Sequence, residues 1–270
     1  MDRPLRSLAD GTHYCEAGAG APVILLHGVG LDHSIWQAQC AALSKRHRVI
    51  AYDLLGHGAS PPIVEDGRLD DFVDQLARVI AALVPDEQSF ALAGFSFGGL
   101  IAEAFTLKAP ERIARLAIIA SVFDRTEEER AGVADRLRMA RRGGPTALID
   151  AALERWYSPE FRASHPALIE AVATMLRRND PRSFLAAYGI FAEADQDLAG
   201  QLGAIAVPTL IVAGERDSGA TPAMARRLAA LIRGAELAII PGARHMLPQE
   251  HARELNELLQ RFLVHPSQEV

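Results

Sequence analysis

Six short segments of this chain are apolar with no polar alternation at their centres: Val23–Leu26, Arg48–Asp53, Phe90–Ala93, Leu116–Ile119, Thr209–Val212 and Leu237–Ile240. A strand with one wet face alternates apolar and polar residues, so runs of this kind need cover on both faces, as in a mostly parallel sheet. Helical patterns lie between them. Phe72, Val73, Leu76, Val79, Ile80 and Leu83 recur at helical spacing, as do Leu255, Leu258, Leu259, Phe262 and Leu263. Alternation of strand and helix predicts an α/β fold built on a doubly wound, mostly parallel sheet.

The rhythm breaks once. From Phe123 to Ala204 there is no strand-like run, only helical patterns such as Glu127–Met139, Thr146–Trp156 and Ala167–Leu176. A helical insertion between core strands reads as a cap over the carboxyl edge of the sheet, where ligands bind in such folds. The predicted division is a core of 1–122 and 205–270 and a helical cap of 123–204. Hydrophobic residues at 49% exclude a disordered chain. A net charge of −6 argues against nucleic acid or an anionic membrane as a main partner. No apolar run approaches the roughly 18 residues of a membrane span, and the start, with basic residues but no apolar stretch, reads as no secretory signal. Cys15 and Cys40 make neither a CxxC nor a zinc spacing, which fits a reduced, cytoplasmic compartment.

The chemistry concentrates in a few loops. Gly94-Phe-Ser96-Phe-Gly98-Gly99 stands between the run Phe90–Ala93 and the helical Leu100–Leu107. A sharp strand-to-helix turn strains its central residue, and flanking glycines relieve the crowding, so the Ser96 hydroxyl stands clear at the positive end of a helix. A serine nucleophile needs a base and an orienter for that base. Downstream, Thr209–Val212 leads into Gly214-Glu-Arg-Asp217, and the next strand into Pro241-Gly-Ala-Arg-His245. The order Ser96, Asp217, His245 is the one this architecture uses. Asp124, in another strand-end loop, and Glu215, nearer the strand, are rival acids; Asp217 is preferred on position. An oxyanion hole would take the backbone N–H groups of Phe97 and Val29, the latter from the loop His27-Gly-Val-Gly30. Asp53, in Tyr52-Asp-Leu-Leu-Gly-His-Gly58, reads as a loop-shaping residue.

Taken together, His27-Gly-Val-Gly30, Asp53–Gly58, Gly94–Gly99, Gly214–Asp217 and Gly242-Ala-Arg-His245 make the chain resemble the α/β-hydrolase superfamily from about residue 10 to 265. The resemblance implies the fold, the Ser–Asp–His triad and a helical cap. Within the cap, Arg155-Trp-Tyr-Ser-Pro-Glu-Phe161 and Phe184-Leu-Ala-Ala-Tyr188 resemble the 3-oxoadipate enol-lactonase branch, where Trp156 would line the acyl pocket. From the residues alone Trp156 reads as cap core. Other classes fit poorly: haloalkane dehalogenases and epoxide hydrolases carry aspartate where Ser96 stands, Gly28 and Gly30 lack the third glycine of a dinucleotide site, and His245 and His251 make no helical metal pair. The arginine-rich Arg136–Arg142 reads as a solvated helix face, with a substrate carboxylate as its other possible partner.

The sequence therefore predicts a cytoplasmic serine hydrolase of a small carboxylic ester, lactone or thioester, needing no metal or organic cofactor. Its partner is a small molecule, and the oligomeric state is left open. Hydrolysis of a carbon–carbon bond in a diketone, or a ligand receptor on the same fold, are the alternatives.

Overall fold

The computed structural model describes residues 5–63, 66–86 and 88–264; the outermost ends of the two core segments, 1–4 and 265–270, lie outside it. The strands are β1 (Arg6–Ser7), β2 (His13–Ala17), β3 (Pro22–Leu26), β4 (Arg48–Tyr52), β5 (Phe90–Phe95), β6 (Ile113–Ile119), β7 (Thr209–Gly214) and β8 (Glu236–Ile240). They form one sheet in the order β1-β2-β4-β3-β5-β6-β7-β8. Pairings from β4 through β8 are parallel, and β1 and β2 add an antiparallel edge. All six runs seen in the sequence are strands. The edge pair β1–β2 is new, because its pattern of exposed and half-buried residues carries no apolar run.

The core helices are α1 (Gln37–Leu43), α2 (Leu69–Leu83) and α3 (Phe97–Lys108). The cap follows β6 with α4 (Glu127–Gly143), α5 (Ile149–Trp156), α6 (Pro159–Ser164), α7 (Pro166–Arg178) and α8 (Pro181–Ala199). After β7 come α9 (Pro222–Leu231), α10 (Leu247–Glu250) and α11 (Ala252–Val264). The helical reading of Thr146–Trp156 divides into a short 3-10 turn, Pro145–Leu148, and α5. Helix α1 packs with α11 and α2 with α3. Every residue of β3 and β5 is buried, so the sheet is covered on both faces, as the unbroken apolar runs require. Each Ile or Leu so buried contributes about 1.5–3 kcal/mol. No described helix is long and apolar enough to cross a membrane.

The chain runs from β3 outward to β4 and then returns past β3 to β5. Strand order reverses there, and the carboxyl ends of β3 and β5 lie side by side, with Leu26 paired to Gly94. A crevice at such a switch point is where doubly wound sheets bind ligands. Helix α3 begins at this point. It is buried from Phe97 to Thr106, because cap helix α8 covers the side that the sheet leaves open.

One carboxyl group is caught in that packing. Glu103 on α3 is fully buried, and neither of its oxygens has a hydrogen-bond partner. Burial, reinforced by the charge of Asp195 on α8, pushes its pKa well above the ordinary 4.5. Asp195 itself pairs with Arg125, Oδ1 to Nη1 at 2.7 Å with both side chains buried. Above about pH 4.5 the unfolded chain releases the Glu103 proton while the folded protein keeps it, so stability falls with rising pH by up to about 1.4 kcal/mol per unit. Glu103→Gln removes this dependence. In urea unfolding the variant should gain on the parent between pH 5 and pH 8; parallel stability curves would mean that Glu103 is ionised in the fold.

Candidate active site

The turn between β5 and α3 is set by close backbone approach. A Cβ on Gly98 would sit 2.5 Å from the Leu26 carbonyl oxygen and 2.6 Å from that of His27, and one on Gly94 would strike the Gly98 carbonyl. With glycine at both positions the chain turns within one residue, Ser96. Its φ of 55° and ψ of −117° put a side-chain-bearing residue in sparsely populated space, a strain that persists only when its surroundings hold it. They do: Ser96 N–H donates to the Ile119 carbonyl at 2.9 Å, and the Ser121 hydroxyl donates to the Ser96 carbonyl at 3.0 Å. Phe97 opens α3, its ring packed edge-to-face on Phe72 and Phe191.

Beyond β7, the Asp217 carboxylate is buried and doubly anchored. Oδ1 accepts from the Gly219 and Ala220 N–H groups at 2.8 and 3.0 Å. Oδ2 lies 2.6 Å from His245 Nδ1, which stands in the loop after β8. Glycine is needed at 214, where a Cβ would come within 2.6 Å of the Ala243 carbonyl oxygen on the histidine loop. The rival acids point elsewhere. Glu215 accepts from Gly242 N–H at 2.7 Å, and Asp124 is exposed, with its carbonyl taken by Arg227.

Ser96, Asp217 and His245 line one cavity of about 310 Å³ under the cap, with Gly28 and Val29 at the same wall. Gly28 is close enough that a Cβ there would lie 3.1 Å from Ser96 Cβ. Two cross-links hold the Val29 loop. His27 Nε2 accepts from Leu54 N–H at 2.9 Å, so its proton is on Nδ1, which donates to the Gly28 carbonyl at 2.8 Å. Burial, with the neighbouring His57, depresses His27 to about 3 and keeps it neutral. From the cap, Asn179 Nδ2 donates to the Gly30 carbonyl at 2.8 Å.

The cap also grips the histidine loop. Met246 N–H donates to the Trp156 carbonyl at 3.1 Å, and Arg244 Nη1 donates to the carbonyls of Glu154 and Tyr157. The Trp156 ring is half buried, packs on the main hydrophobic core, lines the cavity and stands 6.1 Å from the His245 ring. Leu148, Leu176, Phe184 and Phe191 supply further apolar wall. The arginine run divides. Arg138, Arg141 and Arg142 are exposed as a solvated face would be, but Arg136 is half buried and lines the pocket, its Nε donating to the Tyr188 hydroxyl at 3.0 Å. Arg125 and Arg155 line it too, and the residue pattern carried no signal for either.

A hydroxyl on a strained turn, a carboxylate-bound imidazole and a glycine-flanked backbone, gathered in one largely apolar cavity, can carry out nucleophilic acyl transfer. Fold and site together define an α/β-fold hydrolase. The α/β-hydrolase-fold family model matches residues 21–252, and the chain belongs to that family. It is 30% identical over 251 residues to the (E)-2-((N-methylformamido)methylene)succinate hydrolase of Acinetobacter baylyi, covering 93% of each chain. It is 30% identical over 201 residues to 3-oxoadipate enol-lactonase 2 of the same organism, covering 74% of this chain and 73% of that one. Among solved structures, the enol-lactonase of Burkholderia xenovorans superposes with a TM-score of 0.87 at 27% identity, over 97% of this chain and all (100%) of that one.

Asp53 shapes the loops beside the site. Its Oδ1 accepts from His33 N–H at 2.9 Å and from His33 Nδ1 at 2.6 Å, and Oδ2 from Ala59 N–H at 2.9 Å. Burial alone would lower His33, but the hydrogen bond and charge of Asp53 outweigh it and raise His33 to about 9. Burial likewise opposes ionisation of Asp53, and His33 reverses it, holding the carboxyl below its ordinary value. The pair therefore stabilises fully between about pH 4 and 6.5, and its contribution disappears as pH rises through about 9. His33→Gln should lose about 2 kcal/mol at pH 6, the worth of a charge-assisted hydrogen bond, and much less at pH 9.5. A urea-unfolding deficit that stays constant across that range would exclude the ion pair.

Proposed function

We propose that the protein is a serine hydrolase that cleaves a small carboxylic ester, lactone or thioester through an acyl-enzyme. The observation that carries this reading is the 2.6 Å contact between Asp217 Oδ2 and His245 Nδ1 in the cavity that Ser96 lines. Ser96 Oγ attacks the carbonyl carbon while His245 Nε2 takes its proton. Asp217 holds the Nδ1 proton in place and stabilises the imidazolium. The N–H groups of Val29 and Phe97 receive the charge that develops on the carbonyl oxygen. Collapse of this intermediate expels the alcohol or thiol, which takes the proton from His245. Water then attacks the acyl-enzyme with His245 again as base, and the acid leaves as Ser96 regains its proton. Every proton moves between Ser96, His245, substrate and water. Trp156 forms the acyl-side wall.

The likeness to enol-lactonases supports a lactone as substrate. A small molecule is the partner this cavity suits, being near the lower end of the range for ligand sites.

Ser96→Ala should abolish labelling by a fluorophosphonate and lower nitrophenyl ester turnover by several orders of magnitude with the fold intact. Retention of more than about a tenth of the parent activity would remove Ser96 from its role. Asp217→Asn should cost roughly 10⁴ in rate, because the amide favours the wrong imidazole tautomer, while Asp124→Asn should cost little. Ester turnover with circular dichroism as a folding control decides between the two acids; a silent Asp217→Asn would transfer the role.

A further inference from the structure

The cavity is electrically unlike the molecule around it. The chain carries a net charge of −6, yet the charged side chains lining the cavity, besides His245, are three arginines (125, 136 and 155) and a single acid, Asp217. Asp217 is engaged with His245, and Arg125 with Asp195. Neither of the other two arginines forms an ion pair among the described residues. Arg136 meets only the Tyr188 hydroxyl, and Arg155 has no hydrogen-bond or ion-pair partner among the described residues. Both are half buried, on the adjacent cap helices α4 and α5. They are near enough that the charge of Arg136, after burial itself, pulls Arg155 below the ordinary guanidinium range.

Two like charges held together in a partly dry pocket are unfavourable by themselves. The cap could relieve both by turning them to solvent, as it does Arg138, Arg141 and Arg142 on the same helix as Arg136. Instead both are half buried and line the cavity that Ser96 also lines. Arg155 lines the same cavity as Asp217 and His245, and the charge of Asp217 reaches it. A guanidinium presents a planar fork of donors that matches the paired oxygens of a carboxylate or phosphate.

We infer that Arg136 and Arg155 together bind an oxyanion group of the substrate, a carboxylate or a phosphate, so that the natural ester or lactone is an anion. This deepens the acyl-transfer reading of the same cavity and rests on it for the identity of the scissile bond, but not for the binding itself. The two arginines are specificity residues. A neutral ester of the same size leaves both guanidiniums unmatched under the cap.

Two measurements separate the parts. The first is calorimetric binding of glutarate, propyl phosphate and glutaramide to the Ser96→Ala protein, which involves no turnover. At least one of the two anions should bind about tenfold or more tightly than glutaramide, and the stronger anion identifies the group. Adding Arg136→Gln or Arg155→Gln should each weaken it by about tenfold (about 1.4 kcal/mol), and Arg155→Lys should restore part of the loss. The second compares the 4-nitrophenyl monoester of glutaric acid with 4-nitrophenyl butyrate on otherwise unmodified protein. The ratio of kcat/KM for the charged over the neutral ester should fall about tenfold in each glutamine variant, mainly through KM. Equal binding of glutaramide and both anions overturns the inference, as does anion binding indifferent to both substitutions, or a parallel fall on both esters. If no ester is turned over by the parent enzyme, the acyl-transfer reading fails, and the calorimetry still decides the anion site.

Discussion

The site depends on one close contact, the first turn of α3 lying against the carbonyls that end β3. Gly98 allows it, because any side chain there would drive into the Leu26 and His27 carbonyl oxygens. Through that contact the β3 and β5 loops share a wall, with Gly28 packed against Ser96, which has positive φ. The strain at Ser96 thus sits at the switch point of the sheet. Hydrogen bonds from Ser96 N–H to Ile119 and from Ser121 to the Ser96 carbonyl tie the turn to β6, so the strained residue cannot relax without unpairing the middle of the sheet.

The cap is attached to the residues it covers. Besides packing α8 on α3, it hydrogen-bonds two loops at the cavity: Asn179 on the Gly30 carbonyl, and Trp156, Glu154 and Tyr157 on the histidine loop. The bonds at Gly30 and Met246 use the backbone of the loops, whereas Arg244 on the histidine loop reaches the cap carbonyls through its side chain. A shift of the cap therefore displaces the Val29 and His245 loops as well as the pocket roof. The pair Arg125–Asp195 anchors the two ends of the cap to each other, since one partner leads out of β6 and the other lies late in α8. Beside this pair Glu103 is held above the ordinary carboxylate pKa, because its complete burial on α3 disfavours the charged form.

Much of this was legible in the chain. Unbroken apolar runs require burial on both faces, which specifies a covered parallel sheet, and glycines two before and two after Ser96 mark a turn too tight for side chains. Chain order placed Asp217 and His245 past strands whose neighbours could be inferred, so their loops had to share an edge. These are local rules, acting through backbone sterics and the burial of a few adjacent residues. The edge strand β2 escaped them because His13–Ala17 has only two fully buried residues and neither alternates nor runs apolar. Gly94 and Phe95 look like turn residues in the sequence, yet belong to β5 because they pair with Ile118 and Ile119.

What only the tertiary structure decided is where the charged groups point. Arg136, Arg138, Arg141 and Arg142 belong to one helix and one composition, but a helix turns about 100° per residue, so its neighbours alone select which arginine faces the cavity. Arg155 reads as an ordinary basic residue at a helix end until it is seen to line the cavity. Glu103 reads as a polar position on a core helix until α8 closes over it. The sequence prefers Asp217 over Asp124 and Glu215 on position alone, and the fold adds the contact between its carboxylate and His245. The sequence by itself determined the sheet, the turn at Ser96 and the order of the groups around it, because neighbouring residues enforce those. Pocket charge and the protonation of buried carboxyls arise from contacts between residues distant in the chain, and only the folded packing creates them.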